Sequence, residues 1–124
     1  LIENYKYPFD NAIFSVDKKY ICASTPRMAV LMHYPSKNKN WTVKSTFKEL
    51  LWEIPDNQGY IMNTGFSAEN ERLMIAMSTG IIVIWGIKSS KKISELKSQL
   101  KLKSANMSLD GNLVVSGHSS GVIQ

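Results

Sequence analysis

Cysteine occurs once in the sequence, at Cys22. A single thiol excludes a disulfide framework and any metal site built on paired thiolates within the chain. Cys22 sits in the apolar run Tyr20-Ile21-Cys22-Ala23, where it is expected to be a buried structural thiol acting as a small hydrophobe. The absence of disulfides fits a cytoplasmic or nuclear location. Histidine is almost as scarce, with only His33 and His118. Neither has a second His, Cys or acid at a diagnostic ligand interval, so no metal site is expected. His118-Ser119-Ser120-Gly121 reads as a hairpin turn, and nothing in the spacing brings Ser119 or Asp110 to His118 as a catalytic group would require. Glycine-rich phosphate loops are missing too. The chain is therefore expected to be neither an enzyme nor a cofactor carrier, and to have no small-molecule substrate. No apolar run approaches the eighteen or so residues needed to cross a membrane. No charged head followed by an apolar stretch argues for a signal peptide.

Charge is unevenly placed. The net charge is +5, and Lys88, Lys91, Lys92, Lys97, Lys101 and Lys103 face a single acid, Glu95, within residues 88–103. Outside that stretch nine basic and nine acidic residues balance. The basic character is thus local, and such a patch marks either a contact with an acidic partner, RNA or DNA included, or a solvated sheet edge protected by lysines. Arginine and aromatic residues do not interleave these lysines, which favours the sheet edge over a base-stacking platform.

The hydrophobic pattern lacks alternation where it is strongest. Ile81-Ile82-Val83-Ile84-Trp85 is apolar throughout, and Met28-Ala29-Val30-Leu31-Met32 repeats the pattern. A strand with one wet face alternates apolar and polar residues, so both faces of these strands should be covered. Residues 73–77 and 81–85 flank Ser78-Thr79-Gly80, which reads as a tight hairpin.

Self-comparison explains the covering. Phe14-Ser15-Val16-Asp17, Phe66-Ser67-Ala68-Glu69 and Met107-Ser108-Leu109-Asp110 each place an apolar residue and a serine before an acidic turn and a strand. Their spacings are 52 and 41 residues, close to the period of about 40 to 45 for one four-stranded propeller blade. The units are read as residues 8–54, 59–96 and 102–124, all within one domain. Strands are expected at 11–14, 20–23, 28–34, 60–66, 73–77, 81–85, 91–96 and 102–107. Further strands are expected from Leu113 and, as the start of a third strand, at Val122-Ile123-Gln124. In the first unit residues 48–54 are expected as the outer strand, with 35–46 as an inserted loop carrying Trp41. A competing reading takes Thr46-Phe47-Lys48-Glu49 as a helix-capping box. Trp85 is expected in the core and Trp52 against a neighbouring unit.

These residues resemble the WD-repeat family of β-propellers, the fullest unit running from Phe66-Ser67 through Gly80 and Ile84-Trp85 to Lys91-Lys92-Ile93-Ser94-Glu95-Leu96. The resemblance covers most of the chain, as about two and a half degenerate repeats. Gly86 follows Trp85 where the family has aspartate, and the glycine-histidine pair is missing near Ser98-Gln99. Thr79 and Ser120 hold the turn position of another aspartate, and Met32 replaces the tryptophan of the first unit. The family's buried Asp-His-Ser-Trp network is therefore not expected.

The resemblance implies an all-β fold of four-stranded antiparallel blades, incomplete in this chain. It also implies a non-catalytic scaffold that docks other proteins within a multiprotein complex. Arg27, Lys97, Lys101 and His118 would lie on one loop face, and Arg72 with the Trp41 insertion on the other. Loops on a rigid repeated frame are where binding function concentrates. Contact with RNA or DNA through residues 88–103 is the alternative. Fewer than three blades leave apolar end faces uncovered, so the chain is expected to belong to a larger protein and to be poorly soluble alone. A sharp cooperative melting transition of the monomeric chain in calorimetry would contradict this.

Overall fold

The computed structural model describes residues 8–33, 42–43, 59–69, 71–89 and 91–124. Its strands in chain order are β1 (Asn11–Phe14), β2 (Tyr20–Thr25), β3 (Met28–His33), β4 (Thr42–Val43) and β5 (Ile61–Phe66). They continue as β6 (Arg72–Met77), β7 (Ile81–Gly86), β8 (Lys91–Lys97), β9 (Leu102–Met107) and β10 (Val114–His118). No helix occurs among the described residues. Two antiparallel sheets have the orders β1-β2-β3-β4 and β5-β6-β7-β8, and β9 pairs with β10 in a third. The fold is all-β, and each sequential meander is the arrangement of a propeller blade. Gly117 bridges Ile123, and Ser116 and Gln124 exchange two backbone hydrogen bonds of 2.9 Å. The last residues thus begin a third strand beside β10, as the repeat predicts.

The outer strand of the first unit differs from expectation. Its place beside β3 is taken by Thr42–Val43, in the register Met32↔Val43 and His33↔Thr42. These two residues belong to the stretch read as inserted loop. A nearer partner costs less closure entropy than one beyond residue 48, and Thr and Val suit a strand. The expected strand at 48–54, the competing helix from Thr46, Trp52 and Trp41 lie outside the described residues.

The repeated serine has a definite job. The hydroxyl of Ser15 accepts from the Tyr20 amide at 2.9 Å, that of Ser67 from Arg72 at 2.9 Å, and that of Ser108 from Leu113 at 3.0 Å. Ser15 and Ser108 in turn donate to Asp17 and Asp110, whose carboxylates accept from the amides of Lys19 and Asn112. Each turn therefore satisfies its own backbone through a short side chain, as Ser and Asp do in turns generally. This fixes the register of the second strand in all three units.

Period-two geometry then divides the apolar runs between two interfaces. In β6 and β7, Leu73, Ile75, Met77, Val83 and Trp85 join Cys22, Ala29 and Leu31 of the first unit, together with Ile61 and Phe66. The alternate residues Met74, Ala76, Ile82 and Ile84 join Leu102 and Met107 of the third unit. In β2 and β3 the partition repeats, with Ala23, Met28, Val30 and Met32 forming a cluster of their own. Each fully buried branched side chain contributes about 1.5–3 kcal/mol over exposure. Cys22 lies in the first interface, where burial pushes its thiol up to about 12 against a smaller opposing effect of the Thr64 hydroxyl. It is a packing residue and not a nucleophile.

Gly80 and Gly121 occupy the same position of successive β-turns, with φ of +95° and +84°. A Cβ on Gly80 would lie 2.6 Å from the carbonyl oxygens of Ser98 and Leu100, whereas one on Gly121 would meet nothing within 4 Å. Gly121→Ala is expected to cost about 1–2 kcal/mol, from the left-handed backbone alone. Gly80→Ala adds a backbone collision and is expected to exceed that by at least about 1 kcal/mol. Urea midpoints of the two variants, measured in the protein containing this chain, check the order; equal shifts would contradict it.

Candidate interaction surfaces

Around the second unit, whose faces are both covered, two rims of loops and one outer strand remain. The first rim gathers the β2–β3 turn, the β6–β7 turn, residues 97–101 and residues 119–121. The second gathers the serine turns and residues 87–89. Backbone bonds stitch neighbouring units on both. On the first rim the Ile61 amide donates to Pro26 O at 2.8 Å and the Leu102 amide to Ser78 O at 2.9 Å. On the second the amides of Ala68 and Glu69 both donate to Leu109 O, at 2.7 and 2.9 Å. Between the rims the Asn63 side chain accepts from the Ala105 amide at 3.1 Å.

The two arginines read from the sequence as displayed contacts also span unit boundaries. Arg27 donates from Nη1 to Gly59 O at 3.2 Å. Arg72 donates to Gly111 O at 2.7 Å. Gly111 has a φ of +73°, and a Cβ there would crowd Ser67 at 3.0 Å and Arg72 Cδ at 3.2 Å, so glycine suits this turn first through its left-handed backbone. Both guanidinium groups are partly buried clamps. Charge-assisted bonds of this kind are stronger than neutral ones.

His118 opens the turn that the sequence predicts, its carbonyl accepting from the Gly121 amide at 3.0 Å, but its ring is not displayed there. It ends β10, and its side chain is 6% exposed. Nδ1 lies 3.3 Å from Leu100 O and Nε2 lies 2.9 Å from Ser116 Oγ. A carbonyl only accepts, so Nδ1 carries a proton and donates to Leu100 O, while Nε2 shares a hydrogen bond with the Ser116 hydroxyl. The imidazole therefore ties β10 to the loop before β9, and a buried ring does not present itself to a docking partner. Its neighbour Met77, one repeat earlier, is buried without such bonds, which is why no motif announced this role.

Within residues 88–103 the exposed charges are lysines. Lys92 and Lys97 both pair with Glu95, at 2.9 and 3.1 Å, and Lys88 pairs with Glu71 at 3.3 Å. Hydrogen bonds from Lys92 and Lys97 hold the Glu95 carboxyl below the usual carboxylate range. Lys101 is exposed, and its carbonyl accepts from the Ser119 amide at 3.0 Å. The structure thus brings Lys97, Lys101 and His118 around one loop, keeps Arg27 and Arg72 on opposite rims, and leaves Trp41 outside the described residues. No group of three or more His, Cys, Asp or Glu that could hold a metal occurs among the described residues. No helix among them is long and apolar enough to cross a membrane.

The acidic turns titrate out of their ordinary range. The Ser108 hydroxyl, then the Asn112 amide, lowers Asp110, and Ser15 with Lys19 does the same for Asp17. A lowered folded value means that the stabilisation is present above the unfolded carboxylate range near about 3.9 and is lost as pH falls through the folded value. Ser108→Ala is expected to raise the Asp110 titration midpoint toward the ordinary value, while Asp17 stays low. Carboxyl carbon shifts recorded against pH check this; an unmoved Asp110 would contradict the assigned cause.

No protein-family model matches the chain. Over 50 residues it is 36% identical to the Mus musculus protein named LLGL scribble cell polarity complex component 2, a match that takes in 40% of this chain and 5% of that protein. The chain spans a small fraction of the length of this relative. Together with the repeated blade-like units, the similarity hints loosely at a relation to WD-repeat proteins.

Proposed function

We propose that the chain is a segment of a WD-repeat-like propeller that serves as a non-catalytic scaffold, docking other proteins through its loop rims and outer strand within a multiprotein complex. The observation that carries this reading is the two-sided burial of the second unit. Met74, Ile75, Ile82 and Val83 are all at most 4% exposed, so the sheet faces of this unit are spent on its neighbours, and only its rims and outer edge are left to meet a partner. The polarity-complex component it partly resembles is, by its name, a member of such an assembly. A cytoplasmic or nuclear location belongs to the same proposal, supported by the lone buried thiol.

Contact with RNA or DNA through residues 88–103 is less well supported. No arginine or aromatic residue interleaves the six lysines there, so the stretch lacks the stacking platform that binding to bases would use. Affinity purification of the protein containing this chain, with and without nuclease, tests the choice. The expected result is a stable set of co-purifying proteins that nuclease does not remove. A protein that purifies alone would overturn the scaffold reading. Partners lost on nuclease treatment, with affinity falling steeply as salt rises, would establish the nucleic-acid reading instead.

A further inference from the structure

The outer strand of the second unit is built unlike the other strands of its sheet. β8 pairs with β7 through Ile81↔Lys97, Ile82↔Leu96, Val83↔Glu95 and Ile84↔Ser94, and no described strand pairs with its far edge. All of its seven residues except Glu95 are exposed. Two exposed residues are large and apolar, Ile93 at 49% and Leu96 at 46%. A register shift between Ile84 and Trp85 leaves Ile93 as the extra residue, its side chain set over Gly86. There it forms a wall of an open cavity of ≈ 490 Å³, which Ala68, Glu71, Gly86, Lys88 and Ser89 complete.

We propose that the far edge of β8 docks an extended acidic segment of a partner protein, which adds to the second unit as a fifth strand. This rests on the scaffold reading and names the kind of partner one of its surfaces takes. Main-chain hydrogen bonds supply affinity in strand addition, and pockets for alternate side chains supply selectivity. The Ser98 amide donates inward to Gly80 O. Alternation along an antiparallel strand then turns the Leu96 amide inward and the amides of Glu95 and Lys97 outward. Lys91, Lys92 and Lys97 flank these outward donors. The same lysines that deter pairing with a second copy of β8, by setting like charges opposite one another, select a strand bearing Asp or Glu. The pairs with Glu95 lie at the surface, where ion pairs contribute little, so they yield to incoming carboxylates. An apolar side chain of the added strand would enter the cavity beside Ile93.

The test is surface plasmon resonance on the immobilised protein containing this chain, which keeps self-association from competing. The probe is a blocked peptide of alternating glutamate and valine, with a lysine-valine peptide and a single-stranded oligonucleotide as comparisons. The glutamate peptide is expected to bind and the lysine peptide to fail. Glu95→Pro removes one outward amide while keeping every lysine, and proline is tolerated where the amide faces away from the sheet. It is expected to weaken binding at least about tenfold, the equivalent of 1.4 kcal/mol. Glu95→Gln, which removes an acid and leaves the amide, should bind as well or better. A glutamate peptide N-methylated at alternate residues should fail on the unaltered chain, so the proposal can be judged even if the proline variant does not fold. Undiminished binding of the N-methylated peptide, or of a folded proline variant, would overturn the proposal. Tighter binding of the oligonucleotide would overturn it in favour of nucleic acid. Absence of peptide binding while proteins still co-purify would remove the edge site and leave the scaffold reading standing.

Discussion

Burial of the second unit on both faces is the constraint on which everything else depends. Its central strands carry apolar side chains in consecutive positions, and period-two geometry sends half of them to each side. Leu73, Ile75 and Val83 need the first unit, and Met74, Ala76 and Ile82 need the third. Neither neighbour could be removed without exposing a wall of Ile, Leu and Met. Stacking of units is thus the hydrophobic effect acting across repeats, not within one.

Polar chemistry in the molecule serves that stacking. The serine turns set strand register, the Asn63 amide group and the Arg27 and Arg72 clamps cross unit boundaries, and His118 pins a loop to β10. Each satisfies a backbone group that a buried junction would otherwise leave unpaired, at a cost of about 1–3 kcal/mol. With the polar groups of the junctions committed inward, the lysine-bearing edge of β8 is the surface least occupied by the chain's own needs. The register shift that sets Ile93 over Gly86 adds to this, since bulges re-aim side chains at strand edges.

Elements were legible in the sequence wherever a local pattern suffices to produce them. The hairpin of β6 and β7 followed from two apolar runs and Ser78-Thr79-Gly80, and β9 from the repeat. The outer strand of the first unit was not legible, because a strand of two residues, Thr42–Val43, has no periodicity to read and is defined only by its partner β3. The arginines were visible as charges, but a guanidinium on a loop looks the same whether it points to solvent or to the carbonyl of the next unit. Asn63 gave no signal at all, being one polar residue within a strand.

The sequence by itself determined that this is an all-β chain of repeated units, that the central strands are covered on both faces, and that positive charge concentrates in residues 88–103. Those features are written in spacing and composition, which act locally. The tertiary structure alone decided which residues are spent and which remain available. Arg27, Arg72 and His118 are drawn into the junctions, and the far edge of β8 stays open beside its cavity. That division depends on which loops the stacking brings within hydrogen-bond reach, a matter of distances between units that are 41 or 52 residues apart in the chain.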